Sequence, residues 1–174
     1  MKHLQQRKNS FPGSTYGEIK EEGVKKLIEF FNEYFDNSDG VFYDLGSGKG
    51  KLSKQIAETT NFSKVVGYEL HKERYLESLE LLKESKLTNI SFINKDFTTQ
   101  DLSDATVILC SNEAMPREVT AKVLAKAPKG CLIILGRKPN LKWMQENPGI
   151  KFKYSPRILK TYSPNRGNWY LVKE

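Results

Sequence analysis

The sequence predicts an α/β fold with a central, mostly parallel, seven-stranded sheet, helices on both faces of the sheet and an antiparallel hairpin at its C-terminal end. The main observation is that short apolar segments alternate with helical segments of about 10 to 15 residues, which is typical of right-handed βαβ units. A second observation is that the last two extended segments are joined by the turn from Ser163 to Arg166. This turn leaves no room for a crossover helix, so the two strands are expected to pair antiparallel.

Four helices are predicted from the spacing of apolar residues. The first runs from Glu18 to Phe35, where apolar side chains recur at helical spacing and form one stripe that faces a sheet. The other three are predicted at Lys51 to Thr60, Lys72 to Ser85 and Pro116 to Ala127. Each of these three separates two apolar segments, as parallel pairing of those segments requires.

The predicted strands are short and apolar. They are Val41 to Leu45, Lys64 to Glu69, Ile90 to Asn94, Thr106 to Cys110, Cys131 to Leu135, Phe152 to Tyr162 and Gly167 to Lys173. The fifth, CLIIL, is an almost continuous apolar run of the kind that is buried on both faces of a sheet. Because no repeat or long linker separates these elements, residues 1–174 are expected to form one domain, which is enough chain to bury a continuous core.

The net charge of +7 is unevenly distributed along the chain. Residues 1–17 hold three Lys or Arg and no acid, residues 137–174 hold nine Lys or Arg and two Glu, and residues 18–136 carry a net charge of −3. Basic ends on a mildly acidic core favour an acidic partner, such as nucleic acid or a protein bound to it. A solvated basic surface with no partner gives the same pattern.

The composition gives no sign of a disulfide, a metal site or a membrane segment. Cys110 and Cys131 lie in apolar runs, where cysteine acts as a small buried hydrophobe, and the two histidines, His3 and His71, are expected at the surface. No apolar run reaches the roughly 18 residues of a membrane span, and the N-terminus lacks the apolar centre of a signal peptide. We therefore expect a reduced, monomeric, cytoplasmic protein without a metal, or a nuclear one if the source is eukaryotic.

The stretch VFYDLGSGKG, residues 41–50, is the clearest candidate binding element. It joins the end of the first strand, which carries Asp44, to a helix through the turn Gly46-Ser47-Gly48-Lys49-Gly50. Glycines there let the backbone approach a ligand closely, and the following helix N-terminus offers free N–H donors. The first strand-to-helix turn is where alternating α/β folds bind nucleotides. The GxGxG spacing favours a nucleoside that carries an amino acid over a pyrophosphate.

Acidic residues follow the next two strands at positions that suit such a ligand. Glu69 ends the second strand, 25 positions after Asp44 and close to the ~20 typical of a carboxylate that accepts from ribose hydroxyls. Asp96 follows the third strand, where its carboxylate is placed to accept from an adenine amino group while Phe97 stacks on the ring. Each residue alone also fits a surface acid, a turn residue or a core aromatic. The three strand ends together predict a site for S-adenosylmethionine.

A motif before the first helix makes the prediction more specific. The segment Ser14-Thr15-Tyr16-Gly17-Glu18-Ile19, together with DLGSGKG, GYEL, KDF and ATVILCSNEAMPREV, resembles the Dot family (disruptor of telomeric silencing) of non-SET lysine methyltransferases. The resemblance runs from about Phe11 to Leu171. It implies a Rossmann-like class I fold, S-adenosylmethionine as the cofactor and a protein lysine as the acceptor. GYEL and the shortness of the chain also resemble small prokaryotic lysine methyltransferases.

The resemblance implies roles for individual residues. Tyr16, Gly17 and Glu18 form a loop that closes over the methionine part of the cofactor in the family. Five positions match the residues that line the family's lysine channel, namely Phe11, Ile19, Ser111, Tyr162 and Trp169. Aromatic rings in such a channel desolvate the amine and favour its neutral, nucleophilic form, because burial lowers a lysine pKa. Residues 1–35 are thus expected to close over the cofactor, 36–136 to form the core and 137–174 to form the substrate side.

Departures from the family pattern leave the substrate open. Where the family has a pair of Asn residues, this chain has Ser111-Asn112, and where the family has an aromatic residue after the pair, this chain has Glu113. Asn112 either takes over the role of its neighbour or caps the next helix. Eukaryotic members use long basic extensions to bind nucleosomes, which these 174 residues lack, so a histone is not the expected target. Two alternatives remain: a methyltransferase acting on RNA or a small molecule, and a non-catalytic module that kept the cofactor pocket. Tyr162 and Trp169 distinguish a lysine methyltransferase from both alternatives, because their side chains face the pocket only if they line a lysine channel.

Overall fold

Five helices and seven strands occur in the part of the chain that the computed structural model describes, which is residues 19–34, 39–112, 115–139, 141–147, 151–154 and 169–174. The helices are α1 (Glu21–Tyr34), α2 (Lys51–Thr59), α3 (Lys72–Leu82), α4 (Arg117–Lys126) and α5 (Leu141–Glu146). The strands are β1 (Val41–Leu45), β2 (Lys64–Tyr68), β3 (Ile90–Ile93), β4 (Val107–Cys110), β5 (Leu132–Leu135), β6 (Phe152–Tyr154) and β7 (Trp169–Lys173). A short 3-10 helix covers Phe97–Thr99.

All seven strands form one sheet with the order β3-β2-β1-β4-β5-β7-β6. The first five strands of this order are parallel, while β7 pairs antiparallel with both β5 and β6. The order reverses between β1 and β4, which is the topological switch point where open α/β sheets bind ligands at the carboxyl ends of their strands. The predicted parallel core and C-terminal antiparallel pair are both confirmed.

The core has one apolar layer on each face of the sheet. Side chains alternate along β1, so that Phe42 packs with α1 and α2 while Tyr43 and Leu45 pack on the opposite face with α4. On the α1 face, the rings of Phe31, Phe42 and Phe62 meet with centroids 5.4 to 5.8 Å apart. Cys110 and Cys131 are buried and unbridged, as expected.

Two helix ends differ from the prediction. Helix α1 begins at Glu21, one turn later than predicted, and the carboxylates of Glu21 and Glu22 lie in its first turn, where the helix dipole favours negative charge. Helix α3 ends at Leu82, because the backbone N–H of Lys83 and of Ser85 bond to carbonyls three positions back and tighten the chain out of the α-helical path.

Helix α5 was not predicted. It is only six residues long, which is too short to show an apolar period. Tertiary packing stabilises it, because Trp143 lies against the core layer on the α4 face. In the described part of the chain, none of the helices is both long and apolar enough to cross a membrane.

Candidate active site

The carboxyl ends of four parallel strands place the predicted site residues at one edge of the sheet. Leu45, the last residue of β1, pairs in register with Tyr68 of β2 on one side and with Cys110 of β4 on the other. The next residues, Gly46, Glu69 and Ser111, therefore leave the sheet side by side. The sheet thus brings Gly46 together with residues that lie 23 and 65 positions later in the chain.

The glycine turn is held against β2 by backbone hydrogen bonds. The N–H groups of Gly46 and Ser47 both donate to the Tyr68 carbonyl, each at 2.9 Å. Gly46, Gly48 and Gly50 all have positive φ, at 94°, 57° and 80°, a region that residues with a Cβ rarely adopt. The turn therefore needs glycine at all three positions of the GxGxG motif.

Close packing adds a second requirement at Gly50. A Cβ on Gly50 would lie 2.8 Å from Cε1 of Phe92 and 2.9 Å from Cβ of Ser78. The same Phe92 ring packs over Gly67 of β2, where a Cβ would also lie 2.8 Å from Cβ of Ser47. Phe92 and Gly67 were missed from the sequence, although the glycine inside the strand of GYEL is a signal of close backbone approach.

Glu69 lies beside the glycine turn and holds it in place through hydrogen bonds. Its carboxylate is buried, with Oε2 accepting from the Gly48 N–H at 2.9 Å and Oε1 accepting from the His71 N–H at 2.8 Å. The guanidinium of Arg74 lies 4.0 Å from Oε1. A carboxylate accepts about four hydrogen bonds, so each oxygen retains a lone pair for a ligand hydroxyl. His71, expected at the surface, is half-buried at the N-cap of α3.

Asp44 is 2% exposed at the end of β1. Its Oδ2 accepts a 2.7 Å hydrogen bond from the hydroxyl of Ser53, in the first turn of α2. Burial raises the pKa of Asp44 to about 6, the hydrogen bond from Ser53 opposes this rise, and the negative charge of Glu69 adds to it. Asp44 is therefore a buried carboxylate that is charged at neutral pH and takes up a proton in mild acid.

A cavity of about 350 Å³ opens beside the glycine turn. It is lined by Ile19, Glu21, Val24, Asp44, Gly46, Ser47, Lys51, Leu52, Gln55 and Ser111. The buried hydroxyl oxygen of Ser47 has no hydrogen-bond partner within the described part of the chain. Because buried polar groups are almost always paired, this hydroxyl marks a place where a ligand would supply the missing partner. The size of the cavity lies in the range of small-molecule sites.

Asp96 and Phe97 occupy a turn after β3. Asp96 is exposed, and its Oδ1 accepts from the Thr98 N–H at 2.8 Å, which starts the short 3-10 helix. Phe97 is partly buried and packs on the core layer of the α4 face. These contacts are those of a turn residue and a core aromatic, and the contact of both residues with adenine stays a prediction.

Ser111 and Asn112 are neighbours in the chain with different surroundings. Ser111 lines the cavity. Asn112 is 1% exposed, its Nδ2 donates to Oγ1 of Thr120 at 3.0 Å, and its Oδ1 accepts from the Arg137 N–H at 2.7 Å. Asn112 therefore joins the end of β4 to α4 and to the end of β5. Its predicted catalytic role stays a prediction, and its contacts are those of a residue that holds the loop after β4.

Several predicted site residues lie outside the described residues. These are Phe11, Tyr16, Gly17, Glu18 and Tyr162. The backbone of Trp169 begins β7 and pairs with Leu135 of β5, but its side chain is not among the described groups. The predicted loop over the cofactor and the predicted aromatic channel therefore stay predictions.

The fold is shared with methyltransferases of known structure. Magnesium protoporphyrin IX methyltransferase from Synechocystis PCC 6803, solved with bound SAM, superposes with a TM-score of 0.67 at 14% sequence identity, over 93% of this chain and 88% of that one. A likeness at this identity shows the fold alone, and it confirms the predicted Rossmann-like class I architecture.

Two curated relatives match part of the sequence. A protein-lysine N-methyltransferase from Saccharolobus islandicus (strain REY15A) is 31% identical over 98 residues, which are 56% of this chain and 59% of that protein. A tRNA (guanine-N(7)-)-methyltransferase from Geobacillus sp. (strain WCH70) is 31% identical over 71 residues, which are 39% of this chain and 32% of that protein. This chain therefore covers less than two thirds of the length of either relative.

The match to a family model is more extensive. The model of the histone methylation protein DOT1 matches residues 1–147 of the 174. The matched stretch includes the TYGE segment, the glycine turn, Glu69 and Ser111-Asn112. The resemblance predicted from those motifs is confirmed, and the chain belongs to the DOT1 family of histone methylation proteins.

Proposed function

We propose that this protein is an S-adenosylmethionine-dependent methyltransferase that methylates the side-chain amine of a lysine in a protein. The observation that carries the proposal is the arrangement of Asp44, the glycine turn and Ser111 around one cavity in a DOT1-family fold. The protein-lysine N-methyltransferase among the partial relatives supports the choice of lysine.

The residues around the glycine turn fit this cofactor chemically. S-adenosylmethionine supplies a methyl group on a positively charged sulfonium. Glu69 keeps a lone pair on each carboxylate oxygen, which suits the two ribose hydroxyls. The unpaired hydroxyl of Ser47 suits a polar group of the amino-acid part, and the charge of Asp44 at neutral pH favours a cation in the cavity.

The acceptor side of the cavity suits an amine. A lysine nitrogen must be neutral when it forms a bond to the methyl carbon, as the carbon–sulfur bond breaks and the sulfur keeps the electron pair. The protein's contribution to such an in-line displacement is positioning and desolvation. Ile19 and Ser111, two of the five predicted channel positions, line the same cavity as Asp44. Desolvation by Ile19 and by the predicted aromatic residues favours the neutral amine.

The test is a label-transfer experiment. The protein is incubated with S-adenosylmethionine carrying a radioactive methyl group and, in separate reactions, with a host-cell protein extract, total RNA and histones. We expect label in the protein extract, released as methyl-lysine after acid hydrolysis. Asp44→Ala is expected to abolish the transfer, whereas Glu73→Ala, which removes an exposed carboxylate from α3, is expected to retain it.

Two results would contradict the proposal. Label that appears only in RNA would replace lysine with a nucleobase or ribose as the acceptor. If the protein binds S-adenosylmethionine but transfers the methyl group to none of the acceptors, a non-catalytic module is favoured. Binding of the cofactor is measured separately by titration calorimetry, so that loss of the cofactor site is distinguished from loss of the acceptor.

RNA is the second candidate acceptor because the described residues carry their net positive charge in the C-terminal part of the chain. The described residues from 115 to 174 hold ten Lys or Arg and three Glu, whereas those from 19 to 112 hold twelve Lys or Arg and fifteen Asp or Glu. This part comprises α4, α5 and the β5-β7-β6 side of the sheet. A concentrated positive charge favours a polyanion, and the partial match to a tRNA methyltransferase is consistent with it.

A further inference from the structure

Hydrogen bonds hold the loop after β4 to the end of β5 at two points, and Arg137 takes part at both. The parallel pairing of the strands ends at Cys110 and Leu135, and the Gly136 N–H extends it by donating to the Cys110 carbonyl. One residue further on, the backbone of Arg137 pairs with the side chain of Asn112. The amide of Asn112 thus continues the ladder beyond the last strand residue.

The side chain of Arg137 makes the second of these contacts. Its Nη2 donates a 2.7 Å hydrogen bond to the carbonyl of Met115, at the far end of the same loop. A charged donor bonded to a carbonyl is stronger than a neutral pair. Arg137 therefore holds the loop at Asn112 through its backbone and at Met115 through its guanidinium.

Met115 carries this restraint to the glycine turn. Its Cε lies 3.1 Å from the point where a Cβ on Gly46 would stand, and its Sδ lies 3.8 Å from Sγ of Cys110. The methionine methyl group therefore packs directly on the first glycine of the turn. A shift of the loop would move Met115 away from Gly46 and would also move Ser111, which precedes the fastened Asn112 and lines the cavity.

We infer that Arg137 is a positioning residue for methyl transfer: through Asn112 and Met115 it sets the distance between the acceptor side of the cavity, at Ser111, and the glycine turn. This inference rests on the proposed function for its effect on rate. The physical reason is that transfer depends on the reacting atoms being held in line, and a misplacement of ~1 Å costs ~100-fold in rate.

The test compares Arg137→Leu, which removes every side-chain donor, with Arg137→Lys, which keeps the charge and one reachable donor. Lys122→Leu is the matched control, because it removes a positive charge from the exposed side of α4. We expect Arg137→Leu to lower the initial rate of methyl transfer to the host-cell protein extract, at saturating S-adenosylmethionine, at least ~10-fold, with the Kd for S-adenosylmethionine changed less than ~3-fold. Arg137→Lys should recover part of the loss, and Lys122→Leu should resemble the wild type.

A second readout does not depend on activity. Only three methionines are present, Met1, Met115 and Met144, so carbon-13 labelling of their methyl groups gives an NMR spectrum of three signals. We expect the Met115 signal to move in Arg137→Leu, while the Met144 signal stays in place. Arg137→Lys should show a smaller displacement.

Two results would overturn the inference. An unchanged Met115 signal in Arg137→Leu would mean that the guanidinium does not hold the loop. Parallel loss of transfer rate, cofactor affinity and melting temperature would mean that Arg137 only stabilises the fold. If the wild type transfers no methyl group, the proposed function fails, and the NMR comparison alone decides whether Arg137 positions Met115 on the glycine turn.

Discussion

Ser53 and Asp44 form a buried 2.7 Å hydrogen bond that joins the first turn of α2 to the end of β1. This bond lies next to the glycine turn in the chain and connects the two elements that the turn links. It also opposes the effect of burial on the carboxylate, because a donor to the charged form lowers the pKa of an acid. The pKa of Asp44 therefore depends on its burial and on its contact with Ser53.

The first prediction concerns the pH dependence of stability. The pKa of Asp44 is raised from 3.8 to about 6, so the folded state keeps a proton that the unfolded chain has already lost in that interval. The free energy of unfolding contributed by this group therefore falls as pH rises from about 4 to about 6, and the cost is fully present above about 6. Relative to wild type, Asp44→Asn should gain about 2 kcal/mol between pH 4 and pH 7.

Denaturant unfolding of both proteins at pH 4, 5, 6 and 7 measures this difference. Ser53→Ala removes the opposing hydrogen bond, so the pH interval should move upward in that variant. Unfolding free energies of wild type and Asp44→Asn that run parallel over the whole range would contradict the assigned pKa.

The second prediction uses two glycines with nearly the same backbone conformation. Gly50 and Gly130 have φ of 80° and 79°, but a Cβ on Gly50 would collide with Phe92 and Ser78, whereas a Cβ on Gly130 would meet nothing within 4 Å. Gly130→Ala should lower the free energy of unfolding by about 1 kcal/mol, from backbone strain alone. Gly50→Ala should lower it by about 3 kcal/mol or more, because overpacking adds to the strain.

Chemical denaturation of the two variants measures the difference. Adding Phe92→Leu should recover part of the loss in Gly50→Ala and none in Gly130→Ala, because only the first substitution meets the Phe92 ring. Equal losses for the two glycine substitutions would show that the close approach at Gly50 carries no cost.

The third prediction concerns Glu69. In Glu69→Gln the amide nitrogen must face either the Gly48 N–H or the His71 N–H, so one hydrogen bond becomes a contact between two donors. We expect the Kd for S-adenosylmethionine to rise at least ~10-fold and the free energy of unfolding to fall by about 1 to 3 kcal/mol. Calorimetric titration measures the first and thermal unfolding the second. Glu73→Gln on exposed α3 is the control and should change neither quantity.

The fourth prediction separates a structural from a catalytic role for Asn112. Asn112→Ala leaves the Arg137 N–H without its partner and should cost about 2 kcal/mol of unfolding free energy. Thr120→Val removes one of the two acceptors of the Asn112 Nδ2, leaves the Arg137 carbonyl as the other, and should cost less. In a double-mutant cycle the two costs should fall short of additive, because the variants break a shared bond. A loss of transfer rate in Asn112→Ala far beyond that in Arg137→Leu, which disturbs the same loop, would indicate a direct part in the transfer.

The sequence predicted the parallel half of the sheet well, for a physical reason. Strands β1, β2, β4 and β5 are short apolar runs bounded by turns, and burial on both faces makes such runs stand out. Their ends also located Asp44, the glycine turn and Glu69, because the carboxyl ends of parallel strands meet at one edge. Ser111 was predicted from the resemblance to the Dot family. Site residues could therefore be predicted from the sequence where they directly follow a strand.

What the sequence could not show depends on contacts between distant elements. The direction of the Asn112 side chain is decided by Arg137, which lies 25 positions later. Helix α5 forms because Trp143 has a core to pack against. No pattern within these segments specifies the partner, so their roles follow only from the folded arrangement.

Strand β7 lies between β5 and β6 in the sheet, although it follows β6 in the chain. In the described sheet, β6 pairs with β7 alone, so β6 has no strand to pair with until β7 has docked on β5. Topology thus makes assembly of this side of the sheet a late step that follows synthesis of Trp169–Lys173. A chain interrupted before Trp169 would leave the edge of β5 open, which is a template for pairing with other chains.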